Sequence, residues 1–278
     1  MPIDPEEFKR RDAASYDGIA DRFDYWTERV TKDLAQDLVA IADLKPGESV
    51  LDVGTGSGIV ARAAATGEIT GIDLSERMLE VARSRSSHTI SFVKMDAEHL
   101  EFEAGSFDVA VSLFAILHFP HPELAIREIR RVTKAGGRVV LGVGRGASLS
   151  WAGIVSLWNR VRESGNSMVA PRPLLGPAEH ETATPRKPER LERLLRNAGF
   201  VNVRHQWKSY THEVESAAAF WDLHTTFSSV DRKRLELAAP AAAEKARAEF
   251  CAKCDAVLAK GGRLIYRNAA EIVSAVRP

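Results

Sequence analysis

Two cysteines, Cys251 and Cys254, are all that the 278 residues contain, which excludes a scaffold held together by disulfides. Their three-residue spacing is that of a redox or metal pair. No second such pair and no paired histidines complete a zinc set, and both lie in an Ala/Lys/Glu-rich stretch (241–260) where positions three apart share a helix face. They read as packing residues, and no metal site is expected. An excess of charge of either sign is also missing, with Lys+Arg and Asp+Glu at 38 each. A zero balance offers no general attraction to nucleic acid or anionic lipid. No run approaches the roughly 18–20 apolar residues of a membrane span, and the opening MPIDPEEFKRRD lacks the apolar segment of a signal peptide. No internal repeat is found. The expectation is a cytoplasmic protein with no nucleic-acid partner and no membrane insertion; nothing in the sequence speaks to its oligomeric state. The length allows one large α/β domain, or a core with an inserted cap.

What is present is concentrated in residues 48–58, ESVLDVGTGSG. An apolar run, Val50 to Val53, reads as a strand. It breaks into a turn with glycine at Gly54, Gly56 and Gly58, with Thr55 between the first two, and the helical IVARAAA follows. Alternate glycines allow turns forbidden to a Cβ and bring a ligand close to the main chain. Twenty-one residues after Asp52, a second apolar strand ends in Asp73, where a carboxylate can accept hydrogen bonds from both hydroxyls of a ribose. Strand, glycine turn, helix, strand and acid together describe a site for a nucleoside cofactor. The turn is G-x-G-x-G rather than the G-x-G-x-x-G of dinucleotide sites, and Asp52 stands two residues before its first glycine. That carboxylate repels a pyrophosphate and attracts an ammonium. An NAD-dependent oxidoreductase, which uses the same kind of sheet, is therefore the disfavoured alternative.

S-adenosylmethionine has the ammonium, the ribose and the adenine, and here the sequence resembles the class I S-adenosylmethionine-dependent methyltransferases, in particular the small-molecule branch that includes the ubiquinone/menaquinone C-methyltransferases. LDVGTGSG (51–58) and GIDLSERML (71–79) match the first two family motifs. MDAEHLEF (95–102) matches the adenine-side acidic motif. FDVAVSLFAILHFP (107–120) and LAIREIRRVTKAGGRVVL (124–141) match the fourth strand, its helix and the fifth strand. The likeness runs from about residue 14 to about 145. It implies an α/β fold with a Rossmann-like, mostly parallel seven-stranded sheet flanked by helices, an antiparallel last strand and a helical cap.

The resemblance also assigns roles. Asp52 acts through water on the amino-acid end of the cofactor, and Asp73 holds the ribose hydroxyls. Leu74 and Met78 pack near the adenosine, although Met78 reads equally as a core residue of its helix. Asp96 accepts from the adenine amino group, with the Ala97 amide beside it. Tyr16 lies in an amino-terminal flap, YDGIADRFDYW, that closes over the cofactor, and Ser112 to His118 faces the reacting methyl. SLFAILHFP replaces the Asn/Asp-Pro-Pro-aromatic motif of nucleic-acid and protein amine methyltransferases, and there is no Pro-Cys nucleophile, so a small-molecule acceptor is expected. His118 is the candidate catalytic base, since imidazole titrates near neutrality; it serves equally as a cofactor-shell or capping residue. Asp108 reads as structural, and His121 as a solvated turn residue.

Along the chain, residues 1–45 form the flap, read as two helices over 6–42 with Phe8, Tyr16, Ile19, Phe23, Tyr25, Trp26, Leu34, Leu38 and Ile41 as the buried set. Residues 46–147 are the cofactor-binding core, with strands at 50–53, 69–73, 90–93, 107–112 and 138–143 and helices clearest at 75–85 and 122–132. Strand alternating with helix implies a mostly parallel sheet, with ligands at the carboxyl ends of its strands. Residues 148–187 add an amphipathic helix (148–163) and a loop (165–188) with five prolines. Residues 188–210 supply a core helix to Asn197, stopped by Gly199, and a sixth strand, Phe200 to Trp207. Residues 211–262 form a cap of two or more helices, and 263–278 the closing strand, placed at Glu271 to Val276. Phe220, Trp221, His224 and Phe227 fall at near-helical spacing. They are first a packing face and, if turned to the cofactor, an apolar pocket for a hydrophobic or aromatic acceptor. His205, His212 and His224 are further base candidates. A fold that binds the cofactor without transferring its methyl is the remaining alternative.

Overall fold

The computed structural model describes residues 4–64, 67–87, 89–144 and 187–278. Its elements, in order, are α1 (Pro5–Asp17), α2 (Ala20–Val30), α3 (Lys32–Ala42), β1 (Ser49–Val53), α4 (Ile59–Ala63), β2 (Glu68–Asp73), α5 (Glu76–Arg85), β3 (Ile90–Lys94), β4 (Phe107–Leu113), a 3-10 turn (Ile116–His118), α6 (Pro122–Val132), β5 (Thr133–Gly144), α7 (Lys187–Asn197), β6 (Val201–Val214), α8 (Ala217–Phe227), α9 (Ser229–Leu237), α10 (Pro240–Leu258) and β7 (Leu264–Val276).

The described residues divide into two compact units, one of those up to 144 with 187–210 and 269–278, the other of 211–268. In the first, the sheet runs β3-β2-β1-β4-β5-β7-β6. β1 pairs in parallel with β2 (Val50 opposite Ile69) and with β4 (Val50 opposite Val109). β2 with β3 and β4 with β5 are parallel too. β5 with β7 is antiparallel, from Arg138 opposite Val276 to Gly144 opposite Ala270. The mostly parallel seven-stranded sheet with its last strand, β7, antiparallel to β5 is the expected fold class.

Strand alternation supplies both faces of this sheet. Leu51 and Val53 of β1 pack on one side with Ile126 and Ile129 of α6 and Leu191 and Leu195 of α7. Val50 packs on the other with Leu34 and Leu38 of α3, Val60 of α4 and Leu79 of α5. Helix ends follow local chemistry. Ser75 caps α5 by accepting from the Met78 N–H. Pro122 and Glu123 open α6, and Arg130 and Arg131 close it, in keeping with the helix dipole.

Three helices precede β1 where the sequence pattern predicts two. Gly18 ends α1 and Thr31, with φ −117°, separates α2 from α3. The charged-apolar alternation runs on through that single-residue break, so periodicity conceals it. Tyr25 is 43% exposed rather than buried, and the Arg29 guanidinium lies over its ring. The last two strands are also longer than expected. β6 continues past Trp207 to Val214, and β7 begins at Leu264 rather than Glu271. The expected helix at 148–163 and most of the loop at 165–188 lie outside the described residues.

In the second unit, Ser216 caps α8 and Ser228 caps α9. Phe220 and Trp221 pack on Phe250 of α10, and His224 and Phe227 on Tyr266. The helically spaced aromatics thus form a packing face. Cys251 and the buried Cys254 are free thiols on α10, and burial raises the pKa of both. Among the described residues no helix is long and apolar enough to cross a membrane, and no group of three His, Cys, Asp or Glu could hold a metal.

Candidate functional site

Because β1, β2, β3 and β4 are parallel, their carboxyl ends lie on one side of the sheet, and Asp52, the glycine turn, Asp73 and Asp96 all fall at those ends. The glycine turn is built on backbone that other residues resist. Gly54 has φ +68° and Gly56 φ +53°, and a Cβ at Gly54 would stand 2.3 Å from the Ala115 Cβ. The segment after β4 therefore lies directly on the glycine turn, which only a residue without a side chain permits.

Asp73, at the end of β2, accepts from the Gly56 N–H through Oδ2 (2.9 Å) and from the Ser75 N–H through Oδ1 (2.9 Å). Burial raises its pKa, and these backbone amides oppose the rise. The side chain remains partly exposed, and each oxygen keeps a lone pair for a further donor.

Asp52 sits deeper, 1% exposed. Its Oδ2 accepts from the Thr55 hydroxyl (2.6 Å) and from the Ala61 N–H (3.1 Å), so it braces the turn against α4. Oδ1 is buried without a hydrogen-bond partner. Burial, with Asp73 adding repulsion, pushes its pKa up to about 7 against the opposing Thr55, Ala61 and Arg62 contributions.

Asp96 follows β3. Its Oδ1 accepts from the Glu98 N–H (2.8 Å) and its Oδ2 from Lys9 Nζ (2.7 Å). Ala97 is buried against the sheet, and Leu74 is partly exposed beside Asp73. Tyr16 meets Phe23 edge to face. Met78 is buried with Ala20 and Val81, and Tyr16 and Phe23 pack against that cluster. Ser112 is fully buried, and its hydroxyl donates to the Val53 carbonyl (2.7 Å), tying β4 to β1. The Met78 and Ser112 side chains are thus used in packing and in bracing the strands. His118 ends the 3-10 turn and is exposed. His121 precedes α6 with an exposed side chain. Asp108 accepts from the Ser49 N–H and hydroxyl and from Lys134 Nζ, the structural role expected of it. His205 lies between Glu192 (3.0 Å) and Glu271 (3.5 Å), and burial lowers the His224 pKa to about 4.

Sequence reasoning misses three residues here. Arg62 donates to the Ser57 carbonyl within the glycine turn and pairs with Glu28 and, at 3.6 Å, with Asp24 of α2. Lys9 pairs with Asp96 and, at 2.9 Å, with Glu98. Glu98 also accepts from the His121 N–H (2.7 Å). Glu98 lies inside a recognised motif, whereas Lys9 is 87 residues from Asp96 and leaves no local signal.

Residues 51–141 match the methyltransferase domain family. A demethylmenaquinone methyltransferase of Staphylococcus aureus is 39% identical over an alignment of 122 residues that covers 41% of this chain and 47% of the relative. The chain thus matches about half the length of that curated relative. Among solved structures, an S-adenosylmethionine-dependent methyltransferase of Thermotoga maritima superposes with a TM-score of 0.53 at 18% identity, covering 96% of this chain and all of that one (100%). The cyclase SpnF superposes with a TM-score of 0.50 at 25% identity, covering 89% of this chain and 81% of its own.

Proposed function

We infer that this chain, whose residues 51–141 match the methyltransferase domain family, is a class I enzyme that transfers a methyl group from S-adenosylmethionine to a small, hydrophobic or aromatic organic molecule by in-line displacement. The observation that carries the reading is Asp73, held by the Gly56 and Ser75 amides at the strand ends where the glycine turn begins.

The residues present fit the cofactor. The Gly54–Ala115 contact leaves no room for a side chain at the turn, and the unpartnered Asp52 Oδ1 offers buried negative charge to an ammonium. Asp73 would hold the ribose hydroxyls, Asp96 the adenine amino group, and Gly54, Thr55, Gly56 and Gly58 the amino-acid end. S-adenosylmethionine supplies an electrophilic methyl on a good leaving group, so the protein's task is alignment and exclusion of water. A hydroxyl acceptor needs a base. His118, exposed after β4, is the proposed one. The matched domain favours this cofactor over NAD.

The acceptor class rests on SLFAILHFP, which lacks the planar-amine motif. The menaquinone-pathway name of the S. aureus relative agrees with a hydrophobic acceptor. Incubation with S-adenosylmethionine and a panel of phenols, quinols and amines, followed by assay of S-adenosylhomocysteine, tests the proposal. Product with none of them, together with no thermal shift by either cofactor form, sinks it. A second reading, cofactor binding without methyl transfer, is favoured by the likeness to a cyclase. A thermal shift with no turnover on any acceptor would select it.

A further inference from the structure

Lys9 of α1 stands at the centre of a small closed network. Its ammonium donates to Asp96 Oδ2 (2.7 Å), to Glu98 Oε2 (2.9 Å) and to Glu6 Oε1 (2.8 Å). The Glu98 N–H returns to Asp96 Oδ1 (2.8 Å), closing a ring of α1, Asp96 and Glu98. The other Glu98 oxygen, Oε1, accepts from the His121 N–H (2.7 Å). One cation thus joins the amino-terminal helix, the segment after β3 and, through Glu98, the segment between β4 and α6. The Lys9 side chain is only 11% exposed and that of Glu98 only 4%. Charge-assisted bonds in such surroundings are stronger and more directional than surface ion pairs. At its other end α1 is fastened separately, by the Ser75 hydroxyl donating to Asp17 Oδ1 (2.6 Å) and the Arg77 N–H to the same atom.

We propose that Lys9 is a positioning residue for the purine. By holding Asp96 Oδ2 from one side, it fixes the rotamer in which Asp96 presents its free lone pairs to the 6-amino group, and through Glu98 it holds the His121 end of the segment that lies on the glycine turn. The inference rests on the reading of Asp96 as the adenine acceptor. Without Lys9, two carboxylates face each other with no cation between them. They separate, and the carboxylate no longer meets the amino group in a fixed direction.

The test compares S-adenosylhomocysteine with its 6-deamino purine analogue by isothermal titration calorimetry on the full chain. The wild type binds the amino form about 10-fold more tightly, the worth of one charge-assisted hydrogen bond. In Lys9→Met the ratio falls to about 1, because affinity for the amino form drops while affinity for the deamino form stays within about 2-fold; Lys9→Arg restores the ratio. Glu98→Gln keeps an acceptor for the His121 N–H, weakens the hold on Lys9 and gives an intermediate ratio, so the question stays answerable if Lys9→Met folds poorly. Hydrogen exchange of the cofactor-free chain gives an independent reading, in which the His121 amide exchanges faster in Lys9→Met and as in the wild type in Lys9→Arg. An unchanged ratio in Lys9→Met, equal weakening for both ligands, or tighter binding because Lys9 competes with the purine each overturns the proposal. A wild type that binds neither ligand overturns the cofactor reading itself, and with it this inference.

Discussion

The Gly56 amide nitrogen stands 2.9 Å from Asp73 Oδ2, so the glycine turn and the second strand's terminal acid are one hydrogen-bonded unit. The other oxygen of Asp73 receives the Ser75 N–H at the start of α5. A ligand that engages the carboxylate therefore presses on the turn as well as on the acid.

Asp73→Ala should remove this bracing and, with it, the carboxylate proposed to hold the ribose. Loss of the acceptor leaves two backbone donors short of a partner, which costs about 1–3 kcal/mol each when they are buried. The cofactor effect is separable by thermal shift. Ligand at 100 times its dissociation constant stabilises by about 2.7 kcal/mol. The wild type shows that gain with S-adenosylhomocysteine, and a folded Asp73→Ala shows none. A full shift in the variant refutes the assignment of Asp73 to the ribose.

Gly54 and Ala115 offer a double-mutant cycle. Gly54→Ala places a Cβ 2.3 Å from the Ala115 Cβ at φ +68°. Overpacking of this kind costs about 1–3 kcal/mol, and the left-handed backbone adds about 1–2. Ala115→Gly removes the clashing methyl but leaves the backbone strain. Urea unfolding should show the double variant recovering the overpacking part, with a coupling of at least about 1 kcal/mol. Strict additivity would show that the two segments do not touch.

The elements that speak through local pattern are legible in the sequence, and those that depend on chain-distant contacts are not. β1, the glycine turn and Asp73 fall within 25 residues of one another (49–73), and their spacing alone describes the turn that the structure shows. Ser112 shows what resemblance cannot supply. It lies next to the last residue of a correctly placed strand, but its hydroxyl is turned inward to the Val53 carbonyl. Met78 sits on a correctly placed helix with its side chain in the Ala20–Val81 cluster, and periodicity alone leaves both its readings open. The Lys9–Asp96 pair spans 87 residues, and no window of sequence contains both partners. The break at Thr31 is invisible for a different reason, since helical periodicity continues across it.

Asp52 carries an opposing pair of demands that pH can separate. Its pKa is raised to about 7, first by burial. A carboxyl whose folded pKa exceeds its unfolded value, near 3.9, contributes stability that is complete below that value and is lost as pH rises through about 7. Asp52→Asn mimics the neutral form and keeps an acceptor for Thr55 and Ala61. In the cofactor-free protein it should melt near the wild type at pH 5 and above it at pH 8.5. If the carboxylate attracts the ammonium, the variant should bind S-adenosylhomocysteine at least about 10-fold more weakly at pH 8.5, the scale of a charge-assisted contact. Equal affinity at both pH values would leave Asp52 as a brace of the turn and nothing more.

His224 makes the opposite prediction in the second unit. It is 9% exposed and packs against Phe220, Phe250 and Tyr266, and burial lowers its pKa to about 4. Between about 4 and the unfolded value near 6.5, the unfolded chain binds a proton that the folded chain does not. Stability therefore rises with pH across that window, is complete above 6.5 and is lost as pH falls toward 4. The ceiling on this contribution is about 3 kcal/mol, from 1.36 kcal/mol per pKa unit. An imidazole held so low is a weak base, so His224 is poorly suited to deprotonate an acceptor. His224→Phe keeps a flat ring in the cluster and removes the titration. Urea unfolding at pH 7.0 and pH 4.5 should show the wild type losing more stability on acidification than the variant, by about 2 kcal/mol. The comparison uses the change with pH rather than absolute stability, so any packing cost of the substitution cancels. Equal losses in the two proteins would mean that His224 takes up its proton in the folded state, and would return it to the candidates for a base.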